Sequence, residues 1–139
     1  MACTNFWYTT YITLPGFNVQ KQPFSYRNVY DIETEREIYK IGIHTADPVT
    51  EKASPKKMIT QVYSRVHDFL SHKKFVVTIG GEHTVSIGSI IAHAENYNDF
   101  CVLQLDAHGD LRAKYEGSIY NHACVMARVK EVAPFVQVG

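Results

Sequence analysis

The chain has 139 residues, of which 45% are hydrophobic and 20% charged, and its 14 basic residues cancel its 14 acidic ones. That balance belongs to one globular domain and is unlike a disordered tail or a membrane-spanning protein. With no net field to draw a polyanion or an anionic lipid surface, nucleic acid and membranes are not expected as partners.

Residues 1–20 contain no Asp, Glu, Lys or Arg, and Asn5, Pro15, Gly16 and Asn18 interrupt any apolar span. Lacking also the basic start of a signal peptide, this stretch predicts neither export nor a membrane anchor. Phe6, Trp7, Tyr8, Tyr11, Phe17, Phe24, Tyr26 and Tyr30 follow without clean periodicity. Aromatic packing or a subunit contact explains them better than a base-stacking platform. Asp31, Glu33, Glu35 and Glu37 alternate along the chain and read as a solvated face.

From about residue 38 strands and helices alternate. Residues 38–43 read as a strand and 45–53, with Pro48, as a loop. Ser54-Pro55 then opens a helix with a capping side chain and a proline at the first helical position. Met58, Val62, Val66, Phe69 and Leu70 recur at helical spacing and give it one apolar face. Lys73 and Lys74 suit the negative end of its dipole, whereas Lys56 and Lys57 oppose the positive end. Residues 75–79 predict a strand, 84–96 a helix, 100–105 a strand apolar on both faces, 121–132 a helix, and 135–138 another strand. This order implies right-handed crossovers and a three-layer α/β/α domain around a parallel sheet. The pattern is expected to be incomplete, because it stops on a fresh strand at Gly139. Cys3, Cys101 and Cys124 show no CxxC spacing, and two lie in apolar surroundings, so reduced core thiols of a cytoplasmic protein are expected.

The chemistry concentrates behind two of the strands. Asp106-Ala107-His108-Gly109-Asp110 places two carboxylates and an imidazole directly after residues 100–105, and Gly80-Gly81-Glu82-His83 follows residues 75–79. In a parallel sheet both segments lie on the rim where ligands bind, beyond the carboxyl ends of the strands. Asp and His together suit Mn²⁺, Fe²⁺, Co²⁺, Ni²⁺ or Zn²⁺, the carboxylates lean toward manganese, and the lack of Cys argues against structural zinc. Two ions about 3.5 to 4 Å apart, sharing a carboxylate, are conceivable. Glu82 either orients a ligand histidine or is an acid at a helix N-terminus stabilised by the dipole. His44, His67, His72 and His93 have no partner pattern, and Arg112 and Lys114 read as an exposed loop.

These segments, with Tyr120-Asn121-His122-Ala123-Cys124-Val125-Met126 and the upstream Tyr39-Lys40-Ile41-Gly42-Ile43-His44-Thr45, resemble the signatures of the arginase/agmatinase ureohydrolases in order and spacing, most nearly the agmatinase branch. The resemblance covers residues 29–139, a partial ureohydrolase-like α/β domain, and leaves residues 1–28 as a poorly matched N-terminal segment. It implies two Mn²⁺ per complete site, with His83 and Asp110 on one ion, His108 on the other and Asp106 bridging. It further implies His122 at the substrate side, hydrolysis of a guanidino compound such as agmatine to putrescine and urea, and a homo-oligomer. The family completes its metal site with a later Asp-x-Asp pair, whereas beyond Asp110 this chain has only Glu116 and Glu131 as acids. An inactive fragment, or one half of a split enzyme, is therefore a second reading. A third is a single-zinc hydrolase like the lysine deacetylases, which share the fold; Gly80-Gly81-Glu82-His83 favours the ureohydrolase side.

Overall fold

The computed structural model describes residues 30–37, 44 and 46–139. The strand expected at 38–43, the aromatic segment before Tyr30, Cys3 and Thr45 lie outside the described residues. The first described element is a hairpin of β1 (Tyr30–Asp31) and β2 (Arg36–Glu37), paired antiparallel. Its turn is closed by Asp31, whose carboxylate accepts from Glu33 N at 3.0 Å and from Thr34 Oγ1 at 2.8 Å. Glu33 and Glu35 point to solvent, as the alternating acids suggest.

Helix α1 spans Pro55–Ser71, and the Ser54 hydroxyl accepts the Lys57 N–H as its N-cap. At the other end Lys74 N donates to Phe69 O (3.0 Å) and Lys73 N to Leu70 O (2.8 Å). That pair of bonds is a Schellman closure. Lys73 takes the left-handed conformation it requires, at φ 56°. Met58, Ile59, Val62, Val66 and Leu70 form the buried stripe. Each such side chain contributes roughly 1.5 to 3 kcal/mol when fully buried.

Helix α2 (Val85–Asn96) crosses α1 closely. Gly88 makes the approach possible, because a Cβ there would strike the Ile59 carbonyl and lie 2.9 Å from Tyr63 N. Val85, Ile87 and Ala92 join the α1 stripe in one core, to which Val125, Met126 and Val129 of α3 (Val125–Val129) also belong. The helix expected over 121–132 is thus shorter, a 3₁₀ turn at His122–Cys124 running into α3. After the turn at 130–132, Pro134 keeps the helix from resuming, since it disfavours the helical region for Ala133. Among the described residues no helix is long and apolar enough to cross a membrane.

Strands β3 (Val102–Leu105) and β4 (Phe135–Val138) pair in parallel, Val102 against Phe135 and Gln104 against Gln137. The crossover between them carries α3, so the class is α/β with parallel pairing. Burial on both faces, expected for 100–105, is not found: Leu103 is 63% and Leu105 74% exposed, beside Val136 and Val138. Among the described residues the helices pack with Val102 and Phe135 on one side of the sheet, and the outward side chains have no layer over them. Residues 75–79 are not a strand among the described residues, although Val76 and Thr78 turn inward while Phe75, Val77 and Ile79 are exposed. A strand exists through its ladder, and the other strand expected upstream, 38–43, is not described. Cys124 is fully buried, but Cys101 is exposed, against expectation, because it precedes the paired part of β3 at the sheet edge.

Candidate metal centre

The ladder fixes where the chain leaves the sheet: Asp106 N donates to Val138 O at 3.1 Å, one step past Leu105. Asp106 Oδ1 then accepts the His108 N–H at 2.9 Å, closing an Asx turn. The same oxygen lies 3.1 Å from His108 Nδ1. The His108 N–H first, and its imidazole second, hold the Asp106 carboxyl below the usual carboxylate range. Ionised carboxylate is the form that binds a cation.

Asp110 sits in the left-handed region at φ 47°, and its carbonyl accepts Met126 N at 3.0 Å and Ala127 N at 3.3 Å. From the turn before α2 comes His83, whose Nδ1 lies 2.7 Å from Asp110 Oδ2. Glu82 lies in the same turn, and its Oε2 accepts Thr84 N at 3.2 Å and Thr84 Oγ1 at 2.8 Å, which places the acid at the helix N-terminus. His83, Asp106 and Asp110, all half-buried, each offer one ligand atom within 4.8 Å of the others. Donors about 2.0 to 2.6 Å from one ion stand at most roughly 5 Å apart, so the group fits a single divalent cation. One imidazole and two carboxylates are a borderline-to-hard donor set, suited to manganese among others.

His108 stays outside that group, with its side chain 80% exposed and tied to it only through Asp106. His122 is exposed too, at the head of the 3₁₀ turn, where its ring meets the edge of Tyr115 at 5.7 Å. Tyr115 stands at the base of a two-residue turn in which Glu116 and Gly117 both have positive φ, 46° and 80°. The Arg112 guanidinium lies 4.9 Å over the Tyr115 ring. Arg112 and Lys114 are exposed, as their loop reading has it. An open cleft of about 570 Å³, with the hydroxyls of Thr78, Ser86 and Ser89, has His83 in its wall.

Two residues escaped the motif reading. Gln104 Nε2 donates to His108 O at 3.3 Å, and Gln137 Nε2 donates to Gly109 O at 2.7 Å and also to Gln104 Oε1. Their signal was one polar residue in each of two short apolar strands.

Among known proteins, the N(1)-aminopropylagmatine ureohydrolase of Synechocystis is 41% identical over 100 residues, 68% of this chain and 33% of the relative. The solved agmatine ureohydrolase of Thermoplasma volcanium superposes with a TM-score of 0.76 at 25% identity, covering 94% of this chain and 47% of that one. The formiminoglutamase of Trypanosoma cruzi, whose structure includes Mn²⁺, superposes at 0.74 with 17% identity, over 93% of this chain and 51% of that one. The chain thus spans about a third of the curated relative and about half of the solved structures. Residues 18–139 match the family model described as the Arginase family, and with a fold that superposes on its solved relatives, the chain belongs to the arginase family.

Proposed function

We propose that this chain carries part of the binuclear manganese centre of a ureohydrolase that cleaves a guanidino compound, agmatine first among the candidates. The observation that carries the reading is the convergence of His83, Asp106 and Asp110 at one point of the sheet rim. His83, Asp106 and Asp110 would hold metal in this reading, and His108, exposed beside Asp106, would join them by turning its ring. A bound pair of divalent ions supplies a nucleophile from water at neutral pH and stabilises developing negative charge. Water adds to the guanidinium carbon, the C–N bond to the alkylamine breaks, the amine takes a proton, and urea leaves; agmatine yields putrescine. His122, exposed and braced by Tyr115, is suited to carry that proton between solvent and the leaving amine.

The name of the Synechocystis relative makes N(1)-aminopropylagmatine the second substrate to test, and the same guanidinium head is attacked in both. The Mn²⁺ of the formiminoglutamase structure supports the choice of metal. Further parts of the proposal are a homo-oligomer, supported by the resemblance, and a cytoplasmic setting, which suits the free thiols of Cys101 and Cys124. The test is urea release from agmatine, N(1)-aminopropylagmatine, arginine and guanidinobutyrate by the full-length protein that carries this sequence, loaded with Mn²⁺. Urea from one of the first two, abolished by chelation, is the expected result; no urea from any of the four overturns the proposal.

A further inference from the structure

Gln104 and Gln137 face each other across the parallel register of β3 and β4. An amide among valines and leucines is costly unless its polar atoms are matched, at about 1 to 3 kcal/mol for a buried group left unsatisfied. Here the matches run to the loop bearing Asp106 and Asp110 and between the two amides. Gln104 donates to His108 O and Gln137 to Gly109 O, while the Gln137 amide also donates to Gln104 Oε1 and so locks the pair. With Asp110 O held by Met126 N and Ala127 N, three successive carbonyls of that loop are fastened to the sheet and to α3.

We infer that Gln104 and Gln137 are a positioning pair that holds residues 106–110 in their ion-binding conformation, an inference that rests on the metal reading above. The loop has two reasons to leave that conformation when no ion is bound. Asp110 sits at φ 47°, in the left-handed region that residues with a Cβ mostly avoid, although aspartate is among those that tolerate it best. Asp106 and Asp110 also aim like charges at one point, and close carboxylates repel. Side-chain amides anchored in the strands oppose both tendencies without contacting the cation, and ligand loops braced in this way bind metal more tightly.

The test compares the full-length protein that carries this sequence with its Gln104→Met, Gln137→Met and double variants. Methionine keeps the side-chain length and removes the donor, and in the double variant neither glutamine leaves the other unmatched. Calorimetric titration with Mn²⁺ reads affinity, thermal unfolding in chelator reads the fold, and amide exchange in chelator reads the order of residues 106–110. Gln137→Met and the double variant are expected to bind Mn²⁺ about 10- to 100-fold more weakly. Faster exchange should be confined to the loop, with α1 and α2 unchanged. If Gln137→Met does not fold, Gln104→Met, which loses the bond to His108 O and the acceptor for one Gln137 N–H but keeps the Gln137 bond to Gly109 O, carries the comparison with about a tenfold loss. A merely structural role would lower the unfolding midpoint and leave the affinity of the folded chain unaltered, and that result overturns the inference while the metal reading stands. No Mn²⁺ binding by the unaltered chain overturns both.

Discussion

His83 and His108 were equal candidates as ligands, and the structure separates them. The first is half-buried and 2.7 Å from Asp110, the second 80% exposed and in contact only with the outer side of the group, at Asp106. A ligand already held in place forfeits little freedom on binding, whereas a mobile imidazole must be ordered at the same moment. His83→Ala should therefore reduce Mn²⁺ affinity by at least tenfold more than His108→Ala, measured by titration of the first ion bound. Equal losses would mean that His108 swings in as a full partner from the start. The convergence of the two aspartates and His83 was legible because their types and their place after apolar runs point to one sheet rim. What could not be read was the turn of His108 onto Asp106, because that depends on the Asx geometry and not on spacing. The two glutamines were missed for a related reason: each looks like an ordinary lapse in an apolar strand until the parallel register sets them side by side.

Helix α1 was legible end to end, since Ser54, Pro55 and the apolar stripe are local signals that its packing reinforces. Helix α2 was placed to within one residue of its start. Strand pairing is different, as a ladder lies between segments distant in sequence. Residues 75–79 have the composition of a strand and the alternating burial of one, without a strand among the described residues. The least legible contact between elements is the crossing of α1 and α2, which depends on Gly88 inside a helix where glycine costs about 1 kcal/mol relative to alanine. That local cost is offset by the close approach to Ile59 and Tyr63. Gly88→Val should destabilise the chain by about 1 to 3 kcal/mol, as overpacking generally does. Gly88→Ala should cost less than Gly88→Val but still destabilise, although alanine is the better helix former. Chemical denaturation of the two variants checks the order, and a stabilised Gly88→Ala would show that the helices are not pressed together at this point.

At the scale of the molecule, the site joins elements that have little else in common. His83 lies in the turn before α2, Asp106 directly after β3, and Asp110 in a loop fastened to α3. The hydrophobic core ties α1, α2 and α3 together on one side of the sheet, while Leu103, Leu105, Val136 and Val138 on the other side add nothing to it. The α/β class was readable from the alternation of strand and helix, but the exposure of that second face was not, since an apolar strand looks the same whether one or both faces are covered. A cation bound at the rim therefore acts as a cross-link between the α2 start and the β3–α3 loop. Binding to the folded chain alone stabilises it by about 2.7 kcal/mol when free ion stands at 100 times the dissociation constant. For a chain of this size that is on the order of 10 °C in the unfolding midpoint. Mn²⁺ should therefore raise the midpoint by about that much, and excess chelator should return it. Asp106→Asn should abolish most of the increase while leaving the chelated midpoint close to that of the unaltered chain, because the amide oxygen can still accept the His108 N–H and close the turn. A midpoint indifferent to Mn²⁺ would mean that the three ligand atoms meet without holding an ion.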